Sequence, residues 1–146
     1  MPSEGMRILV IDDEKQIRRM LKTALTGYGY DIAEAPSGQE GLSQTLIFHP
    51  DLIILDLGLP DLDGIEVIKK LREWTQTPII VLSVREAEDD KIQALDAGAD
   101  DYLTKPFSMG ELLLSPALLN DKYVRRMLVA AQTIEHKKKG YTVMDL

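Results

Sequence analysis

Four short apolar runs are followed by side chains that can do chemistry. Asp12, Asp13 and Glu14 follow residues 7–11, Asp56 follows residues 52–55, Ser83 follows residues 78–82, and Thr104, Lys105 and Pro106 follow residues 101–103. Carboxylates gathered in one crevice repel each other and hold each other's pKa up unless a cation compensates. Oxygen ligands without sulfur or imidazole select a hard cation. Two carboxylates with a carbonyl and waters suit octahedral Mg²⁺ better than a full Ca²⁺ cage. Lys105 adds a second positive charge, so the crevice favours an anionic guest with several oxygens, such as a phosphoryl group. One carboxylate can be the nucleophile and form an acyl phosphate. Asp56 is the best placed, because the loop Leu57-Gly58-Leu59-Pro60 behind it can reach a metal with a backbone carbonyl.

That crevice exists only if the fold gathers these positions. Apolar runs at 7–11, 30–33, 52–55, 78–82 and 101–103 recur roughly every two dozen residues. Three of them are continuous β-branched or leucine runs, as expected of strands buried on both faces of a parallel sheet. The segments between them have helical spacing. Ile17, Met20, Leu21, Ala24 and Leu25 share one face, and Gly27 and Gly29 end that helix. Gly41, Leu42, Thr45 and Leu46 line up before Pro50, and Ile65, Ile68 and Leu71 follow Asp63-Gly64. In the fourth segment Ile92 and Leu95 are expected to face inward, with Gly98 closing the helix. Strands joined by helices of this length run parallel, with right-handed crossovers. The commonest small solution is an α/β flavodoxin-like doubly wound sheet of five strands in the order 2-1-3-4-5. Its ligand crevice lies between strands 1 and 3, at their carboxyl ends, so Asp12, Asp13 and Asp56 converge there with Ser83 and Lys105 beside them.

Composition narrows the chemistry further. The 146 residues suit one domain, and 17 Lys and Arg against 24 Asp and Glu leave a net charge of −7, which argues against a bare phosphate-backbone binder. Without cysteine there is no thiolate nucleophile and no Cys-ligated zinc, and His49 and His136 lack a metal-ligand spacing. No apolar run is long enough to span a membrane and the first residues lack a signal core, so a soluble cytoplasmic chain is expected. Charge is uneven: residues 1–114 carry 11 Lys and Arg against 21 Asp and Glu, and residues 115–146 carry 6 against 3. Ser115-Pro116 interrupts the helix that begins near Ser108. Ser115 is expected to cap a new helix from Pro116 toward Lys139, ended by Gly140, with Leu119, Tyr123, Leu128, Ala131 and Ile134 as its apolar stripe. Residues 1–114 are therefore read as one domain and 115–146 as an atypical helical tail.

The motifs closely resemble receiver domains of bacterial two-component response regulators, whose fold is called CheY-like. The matching stretches are Ile11-Asp12-Asp13-Glu14, Leu55-Asp56-Leu57 through Pro60 and Asp63-Gly64, Val81-Leu82-Ser83, and the run from Gly98 to Phe107. They cover residues 6 to 114 in order, and the last looks most like the OmpR/PhoB class, Kdp-type members among them. The resemblance implies that Asp56 accepts a phosphoryl group from a phosphohistidine of a sensor histidine kinase. Asp13, Asp56 and the Gly58 carbonyl would hold Mg²⁺, with Asp12 acting through water. Ser83 and Lys105 would bind phosphoryl oxygens, and the peptide bond before Pro106 would be cis. Tyr102 would be the switch aromatic, turning inward after Ser83 moves. A two-fold dimer would form through helix 4, strand 5 and helix 5, with Lys91, Asp101 and Glu111 on its face. The resemblance implies a switch controlling output, transcription by family precedent, with at most intrinsic autophosphatase activity. No direct nucleic-acid or membrane contact is implied.

Other readings are weaker. A flavodoxin-like nucleotide or flavin carrier needs a glycine- or hydroxyl-rich phosphate loop after strand 1, where Asp12-Asp13-Glu14 would repel phosphate. An aspartyl-phosphate hydrolase needs a general acid near the nucleophile, and Gly58 cannot serve. Asp61 and Asp63 read as turn and N-cap residues rather than ligands. Three positions depart from the family pattern. Val84 is larger than usual, Gly58 leaves room for water to reach an acyl phosphate, and Ser115 stands where an arginine is expected four residues after Glu111. No winged-helix DNA-binding domain follows in these residues.

Overall fold

The computed structural model describes residues 5–119. Strands β1 (Arg7–Ile11), β2 (Asp31–Ala35), β3 (Leu52–Asp56), β4 (Ile79–Ser83) and β5 (Asp101–Thr104) form one parallel sheet in the order β2-β1-β3-β4-β5. Helices α1 (Lys15–Thr26), α2 (Gly38–Phe48), α3 (Gly64–Arg72) and α4 (Glu88–Ala97) connect them, and α5 (Met109–Leu113) and α6 (Pro116–Leu119) follow β5.

Successive strand residues point to opposite faces, so each apolar run feeds two cores. Leu9, Ile11, Ile53, Leu55, Ile79 and Val81 pack with Leu42 of α2 and Val67, Ile68 and Leu71 of α3. Ile8, Val10, Leu52, Ile54, Ile80 and Leu82 pack with Leu21 and Leu25 of α1 and with Leu112, Leu113 and Leu118. All five residues of β3 and of β4 are buried, whereas edge strand β5 is half-buried throughout. Register sets the site: Asp56 pairs with Leu82 and Ser83 with Thr104, so their side chains share one end of the sheet.

Arg72 ties the base of the sheet together. Its guanidinium donates to the carbonyls of Gly98 (3.0 Å), Thr75 (3.1 Å) and Thr77 (2.8 Å) and to the Asp100 carboxylate (3.0 Å). The Asp100 carboxylate also accepts the Ile79 amide, which aligns the start of β4. Gly98 lies at φ 126°, and a Cβ there would come within 2.7 Å of Arg72 Cγ. Arg72→Ala strips several half-buried carbonyls of their donor and is expected to lower unfolding stability by about 3 kcal/mol. Urea titration should show this as a lower midpoint at unchanged slope.

Two local expectations need correction. Ile92 and Leu95 do not face inward; they are 48% and 46% exposed, and α4 buries only Ala94. The β4–β5 flank of the sheet takes small side chains, with Ala94 and Ala99 in that core. Ser115 does not cap α6 with its side chain. It is buried, and its hydroxyl has no hydrogen-bond partner among the described residues. Its backbone carbonyl instead accepts the Leu118 amide, and Leu118 plugs the second core. The expected continuation of that helix toward Lys139 lies outside the described residues.

Candidate functional site

The carboxyl ends of the strands bring Asp12, Asp13, Asp56, Ser83 and Lys105 together. The Asp12 amide bonds to the Ala35 carbonyl at 3.0 Å, which carries β1 straight into the site. One carboxylate oxygen each from Asp12, Asp13 and Asp56 lies within 4.8 Å of the others. Asp12 and Asp56 are buried and Asp13 is exposed. A cleft of about 240 Å³ opens beside them, lined by Asp13, Glu14, Asp56, Gly58, Ser83, Val84, Arg85 and Lys105. Val84, 70% exposed, is among the residues that line this cleft. The Lys105–Pro106 peptide is cis.

Charge is unbalanced there. Burial, and then the charge of Asp12, push the Asp56 carboxyl above its ordinary value, outweighing Lys105 and the Gly58 amide. Burial also raises Asp12, against its hydrogen bonds from Glu14 and Lys105. Desolvation is thus the leading cause at both, ahead of repulsion. Burial pulls the Lys105 ammonium down, but Glu14 and Asp12, each 2.9 Å away, together with Asp56 hold it above its ordinary value. Lys105 is 3.7 Å from Asp56, nearer to the flanking acids than to the central one. Clustered carboxylates that resist ionisation fit a hard divalent cation.

Beyond the acids, a chain of contacts leads away from the site. Ser83 is 1% exposed, and its hydroxyl oxygen accepts the Arg85 amide at 3.1 Å. The Arg85 carbonyl accepts the Tyr102 hydroxyl at 2.7 Å. Tyr102 is half-buried and packs against the first core. Arg85 escaped the sequence reading, and Glu14 received no separate role in it. Glu14 sits in the acidic tripeptide without a role of its own, and nothing in the spacing marks Arg85.

Asp63 caps α3 by accepting the Ile65 amide at 2.9 Å. Asp61 does more than make a turn: its carboxylate accepts the Gly38 and Gln39 amides at 2.8 and 2.9 Å, tying the β3–α3 loop to the start of α2. The Gln39 amide leads in holding the Asp61 carboxyl below its ordinary value of 3.8, with Gly38 adding to it. A depressed value means stability that is present above pH 3.8 and lost as pH falls through the folded-state value. Asp61→Ala is expected to cost about 1 kcal/mol at neutral pH, the usual effect of losing a helix cap, and progressively less in acid. Thermal melts across pH test this. Of the expected dimer face, Lys91 and Asp101 are half-buried and Glu111 is exposed. Glu111 is occupied in a capping box, accepting the Ser108 amide at 3.0 Å, and Asp101 accepts the amide of Tyr102.

The sheet order and this cluster define a response-regulator receiver domain. The response regulator receiver domain family matches residues 8–115, and the chain belongs to that family. The KDP operon transcriptional regulatory protein KdpE of Escherichia coli is 60% identical over 105 residues, which are 72% of this chain and 47% of KdpE. The response regulator ArlR of Staphylococcus aureus is 43% identical over 137 residues, 94% of this chain and 63% of ArlR. Both are OmpR/PhoB-class response regulators. The chain spans about half the length of KdpE. Among solved structures, a two-component response regulator from Clostridium difficile superposes with TM-score 0.76 at 32% identity, covering 84% of this chain and 98% of that one. The BeF3-activated receiver domain of Klebsiella pneumoniae RstA gives 0.71 at 28% identity, covering 73% and 92%. Receiver domains bind Mg²⁺ at an acidic pocket and interact with sensor histidine kinases. The chain is thus a signalling switch rather than a conventional enzyme. Among the described residues, no helix is long and apolar enough to cross a membrane.

Proposed function

We propose that Asp56 accepts a phosphoryl group from the phosphohistidine of a sensor histidine kinase. The observation that carries this is the convergence of Asp12, Asp13 and Asp56 within 4.8 Å beside the Lys105 ammonium. An Asp56 oxygen forms the new P–O bond as the P–N bond breaks, and its electron pair returns to the imidazole nitrogen. Asp13, Asp56 and the Gly58 carbonyl would hold Mg²⁺, with Asp12 acting through water; the bound ion neutralises charge where two anions meet. Lys105 is positioned to leave Glu14 for a phosphoryl oxygen, and Ser83 to donate its hydroxyl to another. Water entering beside Gly58 returns the carboxylate and inorganic phosphate, an intrinsic autophosphatase activity.

Phosphorylation biases a two-state element through few atoms. Moving the Ser83 hydroxyl pulls on Arg85, whose carbonyl holds Tyr102. The face of α4, β5 and α5 then favours a two-fold dimer, with the exposed Ile92 and Leu95 as its apolar part and Lys91, Asp101 and Glu111 around them. Glu111 uses one carboxylate oxygen in its capping box, which leaves the other to pair with Lys91 across the dimer. This reading places residues 1–114 in the cytoplasm as the phospho-acceptor domain, with transcription as output, no direct nucleic-acid contact and residues 115–146 as a tail whose first residues, Ser115 and Leu118, pack into that domain.

Labelling with radioactive acetyl phosphate tests it. Incorporation should be stoichiometric, Mg²⁺-dependent and absent from Asp56→Asn, without turnover of other phosphoesters. Labelling that survives in Asp56→Asn would sink the reading.

A further inference from the structure

The proposed Mg²⁺ site is split between two strand ends. Asp12 and Asp13 follow β1, whereas Asp56 ends β3 and Gly58 lies in the loop behind it. The β1–β3 ladder joins the two halves only as far as the pair Ile11 and Leu55. Past that pair the carboxylates of Asp12, Asp13 and Asp56 face each other within 4.8 Å, and their mutual repulsion works to part the two strand ends.

A bridge from the side crosses that gap. At one end of residues 35–38 the Ala35 carbonyl accepts the Asp12 amide at 3.0 Å. At the other end Gly38 and then Gln39 donate their amides to the two carboxylate oxygens of Asp61, at 2.8 and 2.9 Å. Both bonds are charge-assisted and lie at the first turn of α2, where the helix dipole favours an anion. Packing follows the same line. A Cβ on Gly38 would lie 3.0 Å from Leu62 Cβ, so α2 rests directly on the β3–α3 loop. One on Gly41 would lie 2.6 Å from Ile11 Cδ1, so the same helix rests on the end of β1. The loop is closed at its neck, where Gly64 donates its amide to the Leu57 carbonyl at 2.9 Å and Gly58 bridges to Asp63. A loop closed at the neck moves as one piece, so a restraint at Asp61 is passed on to Gly58.

We propose that Asp61 is a positioning residue for Mg²⁺: its grip on the Gly38 and Gln39 amides fixes the Gly58 carbonyl relative to Asp12 and Asp13. This rests on the Mg²⁺ site proposed above and gives a task to a carboxylate that is not one of its ligands. Asp61 acts through the loop and touches neither the ion nor the phosphoryl group. Mg²⁺ demands a nearly ideal octahedron, so a carbonyl that drifts with an untied loop binds it poorly.

The test is the dissociation constant for Mg²⁺, read from amide shifts in proton–nitrogen correlation spectra of the folded protein, where global stability does not enter. Asp61→Ala is expected to bind Mg²⁺ about tenfold more weakly, the usual result of removing the support behind a metal ligand. Asp61→Asn keeps the shape and one acceptor oxygen, and should fall between alanine and wild type. Ser37→Ala is the control. The Ser37 hydroxyl also caps α2, accepting the Glu40 amide at 3.2 Å, but does not hold the loop. Its loss should weaken the helix end and leave Mg²⁺ affinity within about twofold of wild type. The loss in Asp61→Ala should persist at about 0.5 M KCl, where an effect of the Asp61 charge alone would be screened away. Wild-type affinity in Asp61→Ala would overturn the proposal. So would a loss confined to low salt, or an equal loss in Ser37→Ala. If Mg²⁺ left the wild-type amides around Asp13, Asp56 and Gly58 unshifted, the metal site itself would fail instead.

Discussion

Asp56→Asn is expected to melt at a higher temperature than wild type when Mg²⁺ is absent, and to lose most of the stabilisation that Mg²⁺ confers. Burial and the charge of Asp12 hold the Asp56 carboxyl above its ordinary value of 3.8. A raised carboxyl means that the folded state binds the proton more tightly than the unfolded state. Stability therefore falls as pH rises from 3.8 through the folded-state value, and the deficit persists at neutral pH. Asparagine keeps the shape and never ionises, so the deficit disappears. Each 1 kcal/mol recovered raises Tm by roughly 3–6 °C in a domain of this size. The gain should vanish near pH 3, where aspartate is neutral in both states. Mg²⁺ stabilises wild type by mass action and the variant far less, so the order of the two melting temperatures should reverse at saturating Mg²⁺. Calorimetry over pH and Mg²⁺ concentration measures all of this. A variant less stable than wild type in chelator would contradict it.

Gly64→Ala should be the most damaging single methyl group near the site. A Cβ at Gly64 would lie 2.5 Å from Leu57 Cα and 2.9 Å from the Asp56 carbonyl oxygen. Both are backbone atoms, which cannot turn aside as a side chain can. The Gly64 amide also donates to the Leu57 carbonyl at 2.9 Å, docking the start of α3 on the loop behind Asp56. Either that bond lengthens or the loop shifts. Overpacking of this kind costs about 3 kcal/mol, and displacement of Leu57 carries Asp56 and Gly58 with it. The expected result is a large drop in urea midpoint together with slower labelling. Gly58→Ala is the control, since open space surrounds its added methyl, and it should leave stability within about 0.5 kcal/mol. Equal stability of the two variants would show that the close approach at Gly64 relaxes freely.

These contacts show which features a sequence can reveal. The central strands were legible because β3 and β4 are buried on both faces and therefore apolar without interruption. The acids were legible because a parallel sheet gathers whatever follows its strands. Edge strand β2 alternates less clearly, and it runs to Ala35 rather than stopping at residue 33. Helix α4 was misread because its apolar residues do not serve this domain's core; Ala94 does, and Ile92 and Leu95 remain outside. Arg72 and Arg85 were invisible, and Asp61 was legible only as a turn residue, for another reason. Each acts on backbone groups distant in sequence, such as Gly98, Gly38 and Leu57, and no periodicity records such pairs.

Burial is graded across the sheet: β3 is sealed on every residue, while β5 is half-open along its length and pairs with β4 alone. Stiffness follows that gradient, because amides in a sealed strand open only with global unfolding and a rim strand can open locally. The acceptor carboxylate therefore stands on the rigid middle, and Tyr102 rides on the compliant rim. A small push delivered at the centre has one soft direction in which to relax, sideways toward β5 and α4, which gives the signal an exit set by the architecture rather than by any single residue.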